Sequence, residues 1–323
     1  MSTGDQYIGR REAVGLGIEG TAGTSVAPQI WMRWLDNDLQ VKTDVQENES
    51  ALGVVDRVND SDITSKWVEG KIGGNISSRA VGYLLLGMWG NVSTGAAVSG
   101  IYPHTFSVKQ SSVPTTLTIA KSSPLVSARH SYGTISSFEL DAQPGKYVRV
   151  QSAVMARIGA SSTETVALST EATFTSRHIS VYTADTVANL SGATKIKAAS
   201  LKLNVERKVD AFTPLGENST VPAVEFDAGS FEAKGELVVR LTDTQYEADF
   251  LANTIRAMKV ALVNGNKSLE FTAAKVRFRE LEKSTDRDSV VTATLSFFCE
   301  FDETTNASIT PVLKTDQATY IAA

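Results

Sequence analysis

One phrase occurs twice in this chain, 165 residues apart, and it limits the fold more than any other feature. From Lys66 to Asn91 the sequence reads KWVEGKIGGNISSRAVGYLLLGMWGN. Val68, Ile72 and Ile76, with Gly70 and Gly74 between them, fall on one face. Glu69, Lys71, Asn75 and Ser77 fall on the other. A period of two predicts a strand with one wet face. Ser77-Ser78 offers an N-cap, and Arg79 to Trp89 predicts a short apolar helix. Later, Phe231 to Leu241 alternates again, Asp243 stands at the cap position, and Thr244 to Asn253 predicts a second helix. Gly70 and Gly235, Ile72 and Leu237, Ile76 and Leu241, Ser78 and Asp243, and Leu86 and Leu251 all keep the 165-residue spacing. Glu69-Gly70-Lys71 returns as Lys234-Gly235-Glu236, with the charges exchanged. Two copies of one β-rich unit are therefore expected. Each copy opens with another strand. In the first, Leu39, Val41, Thr43, Val45 and Glu47 alternate with Gln40, Lys42, Asp44, Gln46 and Asn48. In the second, Leu201, Leu203 and Val205 alternate with Lys202, Asn204, Glu206 and Lys208, which places Leu201 opposite Leu39 at an offset of 162.

A chain of 323 residues has room for two ordinary domains, and 42% hydrophobic with 21% charged residues allows a packed core. A net charge of −5 argues against a protein that grips nucleic acid through its phosphates. The sole cysteine, Cys299, excludes an internal disulfide, fits a reducing cytoplasm and is expected in the core. The opening MSTGDQYIGRREAV carries charges where a secretion signal needs an apolar stretch. The longest apolar run, Tyr83 to Trp89, is far short of the roughly 20 residues of a bilayer span, so no membrane partner is expected.

Taken in order, residues 1–35 are expected to form an N-terminal arm, 36–160 the first unit, 161–199 a connector, 200–302 the second unit, and 303–323 a C-terminal arm. Gly15-Leu-Gly-Ile-Glu-Gly20 matches a dinucleotide fingerprint, but neither a preceding buried strand nor a following helix is expected there, so these are assigned as turn glycines. Trp31, Trp34 and Leu35 would anchor the arm. Ser50 to Ser65 and Thr213 to Ala228 form long loops at matched places, and structureless loops of about 15 residues often carry function. In the first unit His104 to Val108 and Thr116 to Ala120 are short strands, and Thr134 to Leu140 with Tyr147 to Ala156 form a hairpin across Asp141 to Gly145. The second unit has Lys259 to Val263, an Asn264-Gly265 turn, Leu269 to Phe271, then Lys275 to Leu281 and Val290 to Phe301.

No catalytic constellation is present. His104, His130 and His178 have no metal-ligand spacing. Asp60 and Asp62 lack the glycine and terminal glutamate of a calcium loop. Neither a P-loop nor a nucleophile elbow occurs. An enzyme is not expected, and no cofactor is implied.

Several stretches together resemble the major tail tube proteins of long-tailed bacteriophages. They are Gly15 to Pro28, Lys66-Trp-Val-Glu-Gly70, Gly82-Tyr-Leu-Leu-Leu-Gly87, His104-Thr-Phe106, Pro144 to Val148 and Gly229-Ser-Phe231, in that order along the chain. The resemblance implies a mainly β fold of two tandem tail-tube-type β-sandwich or barrel units, each with a short flanking α-helix, plus extended arms and long loops. It implies a structural virion protein, assembled in the host cytoplasm. Its rings would stack head to tail into a tube for the genome, without a sheath, beside tape-measure and tail-terminator proteins. Simpler tube proteins carry one unit and close rings of six chains, so a duplicated chain is expected to close rings of three; six chains per ring is the alternative. A virion adhesin or surface-decorating β-sandwich is the other functional reading. The polar strand faces are assigned to the bore: Gln40, Lys42, Asp44, Gln46, Glu69 and Lys71 in the first unit, and Lys202, Asn204, Glu206, Lys208, Glu232, Lys234, Glu236 and Arg240 in the second. They carry no basic stripe, so double-stranded DNA would pass without a phosphate grip. The two long loops, with Asp56, Asp60, Asp62, Pro214, Glu217 and Pro222, are assigned to ring stacking.

Overall fold

The computed structural model describes residues 7–215, 224–241, 244–284 and 290–322. Among these residues the chain is mainly β, with 18 strands and two α-helices. The first stretch contains β1 (Ala13–Ile18), β2 (Ile30–Met32), β3 (Asp36–Asn37), β4 (Gln40–Asn48), β5 (Asp60–Asn75) and α1 (Ala80–Trp89). Then come β6 (Gly90–Thr94), β7 (Tyr102–Val108), β8 (Leu117–Ser122), β9 (Ser127–Ala142), β10 (Arg149–Ala156), β11 (Ala160–Ser161) and β12 (Ile179–Ala184). The last part holds β13 (Ala198–Phe212), β14 (Glu225–Arg240), α2 (Gln245–Leu251), β15 (Arg256–Asn264), β16 (Lys267–Lys283), β17 (Thr292–Glu300) and β18 (Thr310–Thr315).

Eight strands lie side by side in the order β4, β5, β10, β9, β13, β14, β17, β16, each antiparallel to the next. The alternation read from the sequence decides which side of this sheet is dry. Val68, Ile72, Val154, Phe138, Leu203, Leu237 and Leu295 are all buried on one face. A second row runs β12, β15, β16, β18, β7, β6, and a third runs β2, β1, β8, β9, β11. The long strands β9 and β16 each take part in two rows, so the rows share one core. Trp89 of α1 marks its centre, with ring centroids 5.9 Å from Phe138, 5.7 Å from Phe231 and 6.2 Å from Phe271. The first two meet edge-on, and such contacts add to the burial energy of the rings.

Strands β5 and β14 are each 16 residues long, and both ends lie 165 apart; α1 and α2 begin 165 apart as well. The preceding strands are offset differently from the expected 162. Gln40 faces Glu69 as Asn204 faces Lys234, which is an offset of 164. Gly70 and Gly235 occupy matching tight places: a β-carbon on Gly70 would meet the Asp38 carbonyl oxygen at 2.6 Å, and one on Gly235 would meet that of Lys202 at 2.3 Å.

Several expectations are corrected. The N-terminal stretch is not a peripheral arm: β1 pairs with both β2 and β8, and Val14 and Leu16 are fully buried. Gly15 is a strand residue rather than a turn residue, kept small by Pro28 at 2.7 Å. The C-terminal stretch is likewise built in, since β18 pairs with β16 and β7 and Tyr320 is buried. Ser50 to Ser65 is not all loop, because Asp60 onward is strand. Ser77 and Ser78 do not cap α1. The Glu171 carboxylate does, accepting from the backbone N–H of Arg79 and Ala80 at 2.9 Å each. The expected cap at Asp243 lies outside the described residues.

Candidate assembly surface

The wet face of the eight-stranded sheet is built by the pairing registers. One rung runs Asn75, Arg149, Asp141, Lys202, Glu236, Ser296, Glu280; the next runs Gly73, Gln151, Glu139, Asn204, Lys234, Phe298. A third joins Lys71, Ala153, Ser137, Glu206 and Glu232. The residues assigned to the polar faces are all exposed or half-buried. Lys202, Asn204, Glu206, Glu232, Lys234 and Glu236 are brought into direct opposition across β13 and β14. Gln40 and Glu69 oppose each other across β4 and β5, Lys42 faces Trp67, and Asp44 accepts from the Ser65 hydroxyl at 2.8 Å. Gln46 faces Asp62 on the overhanging part of the ribbon, and Arg240 faces Thr292 at the far end. Lys208 sits at a register step and pairs with Asp210 at 2.9 Å.

Between and beyond these strands lie residues that the sequence reading left out: Glu139, Asp141, Arg149, Gln151, Glu280 and Glu282. Their signal was the same alternation, running through Thr134 to Leu140, Tyr147 to Ala156 and Lys275 to Leu281 and one residue beyond the first and last of these. With Arg277 opposite Phe298 and Arg279 over its ring, the face carries both signs and no basic stripe. Its cations are mostly matched in place. Lys202 lies 3.2 Å from Glu139, and Lys234 lies 3.0 Å from both Glu206 and Glu232. The Lys234 hydrogen bond holds the Glu206 carboxyl below its ordinary value, and Glu139 raises Lys202.

The distal parts of β4 and β5 form a bare two-stranded ribbon. All nine residues of β4 are exposed, including Val41 at 57% and Val45 at 49%. The alternation expected of this strand is present, but among the described residues nothing in a single copy covers its apolar side. The ribbon ends in residues 49–59, where Leu52, Val54, Val55 and Val58 are exposed beside Asp56. Asp60 and Asp62 begin β5 and accept from the N–H groups of Ser61 and Ile63. Four antiparallel steps separate β5 from β14, so the two strands run the same way and both hairpins overhang the same end of the sheet. Pro214 is half-buried at the second hairpin; Glu217 and Pro222 lie outside the described residues. The second hairpin is docked where the first is bare: Arg157 donates to the Val224 carbonyl at 2.7 Å and lies over the Tyr132 ring, which meets Phe226.

Arg207, buried on the core face of β13, donates through Nη2 to the carbonyls of Lys109 and Ser111 at 3.0 and 3.1 Å, beside a cavity of about 510 Å³. His104 bridges Thr94 and the Gln317 carbonyl, and burial lowers its pKa. Burial pushes the Cys299 thiol up to about 12, which keeps it unreactive. Among the described residues no group of His, Cys, Asp or Glu could hold a metal ion, and no helix is long and apolar enough to cross a membrane.

A surface of this kind, polar, ion-paired and bounded by open strand edges, suits assembly rather than turnover. The family model for phage tail tube proteins matches residues 9–299 of the chain. No curated protein matches it.

Proposed function

This chain belongs to the phage tail tube protein family, a structural component of the virion tail that self-assembles into the tube, and from that premise we propose how it does so. Each chain supplies two tandem tube units, three chains close a ring of six units, and rings stack head to tail. The observation that carries this reading is the doubled spacing. The strand–helix pair β5–α1 recurs as β14–α2 at 165, and the hairpin β9–β10 recurs as β16–β17 at 143. Even the register steps correspond: one falls between Ala153 and Val154 opposite Ser137 and Ile135, the other between Ser296 and Phe297 opposite Glu280 and Phe278. Bulges at one place in two hairpins are specific features rather than noise.

The wet face of the eight-stranded sheet lines the bore. Arg149, Lys202, Lys208 and Lys234 are ion-paired in place, so a passing DNA duplex finds few free partners for its phosphates and releases few counterions. The overhanging hairpins reach the adjacent ring. Their support is the bare ribbon with its exposed valines, an apolar patch of the sort that marks a contact site. A Lys71→Cys variant tests the lining. In assembled tubes a reagent too bulky for the bore should leave the introduced thiol unlabelled, while free subunits react readily. Fast labelling of intact tubes would put this face outside.

A further inference from the structure

We propose that neighbouring copies in the ring join through one hydrogen-bonded seam. In it the free edge of β16 at Glu280, Leu281 and Glu282 pairs antiparallel with the free edge of β4 at Lys42, Val41 and Gln40 of the next copy. The seam deepens the ring reading and rests on it.

The template is inside the chain. Strand β9 of the first half pairs with β13 of the second, with Ser137 opposite Glu206, Phe138 opposite Val205 and Glu139 opposite Asn204. Those three of the junction's six pairs have counterparts on open edges. The hairpin offset of 143 carries Ser137, Phe138 and Glu139 to Glu280, Leu281 and Glu282. The offset of 164 carries Gln40, Val41 and Lys42 to Asn204, Val205 and Glu206, whose partners Lys234, Ala233 and Glu232 lie 165 beyond Glu69, Val68 and Trp67. Among the described residues, β4 pairs with β5 alone, and past Val276 β16 pairs with β17 alone. Both edges are therefore open along the matching residues, and an open edge is a template for another strand.

Burial and charge agree with the register. Val205 and Phe138 are fully buried at the internal junction, while Val41 is 57% exposed. Pairing would set Val41 against Leu281 and Lys42 against Glu280, with Glu282 one diagonal away. The helices show the same imbalance. All ten residues of α1 are buried, and its Trp89 touches Phe138 on one side of the junction and Phe231 on the other. In α2 only Asp249 is buried, and Leu251 is 75% exposed. A head-to-tail contact of this kind uses two different surfaces on each copy and can close into a ring.

The test is a pair of cysteines, Lys42→Cys with Glu280→Cys, in the full chain; buried Cys299 does not compete. Oxidised rings should give covalent oligomers on a non-reducing denaturing gel, the largest being a closed trimer. Either cysteine alone should run as monomer, and Gln46→Cys with Glu280→Cys should not link. A charge exchange gives a second reading. Lys42→Glu or Glu280→Lys should each cut ring yield several-fold, and the double exchange should restore it. Rings that form but link only in the Gln46 pair, or not at all, overturn the seam and leave the tube intact. Unaltered chains that form no rings overturn the tube reading itself.

Discussion

The ring of Tyr320 occupies the place a side chain on Gly82 would take: a β-carbon there would lie 2.1 Å from Cζ. The Tyr320 hydroxyl donates to the Arg79 carbonyl at 2.9 Å, and its ring meets Tyr83 edge-on at 5.2 Å. The C-terminal stretch is thus locked onto the first turn of α1. Gly82→Ala should destabilise the subunit by about 1–3 kcal/mol through overpacking. Tyr320→Phe should cost only about 1 kcal/mol, the worth of one hydrogen bond. Urea unfolding of the two variants checks the order; an unchanged midpoint for Gly82→Ala would show that the C-terminal stretch is not docked there.

A pH dependence follows from Asp316. Arg79 grips its two oxygens at 2.9 Å each, and Lys267 lies 2.9 Å away. The hydrogen bond from Arg79 holds this carboxyl well below the usual carboxylate range. The folded value is depressed, so the stabilisation is complete above the unfolded value of about 3.9 and is lost as pH falls toward the folded one. Asp316→Asn should cost about 2 kcal/mol at pH 7, and the gap to the unaltered protein should narrow below pH ~4. A gap that stays constant from pH 7 to pH 2.5 would contradict the pairing.

The cap of α1 comes from a distant residue. Glu171→Ala removes the acceptor for two backbone N–H groups and the negative charge at the helix start, so about 1–2 kcal/mol should be lost. Glu171→Gln should recover part of that. Thermal unfolding distinguishes the two, and equal melting temperatures for all three proteins would refute the cap.

Shortening the first hairpin to a tight turn that removes residues 46–62 should leave a folded subunit, because β4 and the hairpin tip bury nothing in the single chain. Rings should still close, but long tubes should not grow. Tubes of normal length by electron microscopy would show that stacking does not use this hairpin.

How much of this could be read from residues alone varies with the physics of each element. Strand β5 was legible because Val68 and Ile72 face a core while Glu69 and Lys71 face water. The helix α1 was legible from its apolar run. The start of β5 at Asp60 was not, because Asp60, Ser61 and Asp62 are polar on both faces and leave no alternation. Strand β1 was hidden by its glycines, whose smallness serves close packing rather than a turn. Glu171 could not be found by local rules, since it reaches the helix from 91 residues away. The polar face was only half legible: alternation marked Lys202 to Lys208, but the neighbours that neutralise them, Glu139 among others, depend on a pairing between the two halves.

The central claim, two units per chain and three chains per ring, is tested most directly by a density map of the tube calculated without imposed rotational symmetry. The account predicts threefold symmetry with an inner wall close to sixfold. The outer surface should alternate, bulky where residues 91–133 lie between helix and hairpin and slim where residues 254–274 do. A map with six identical chains around the ring would contradict it.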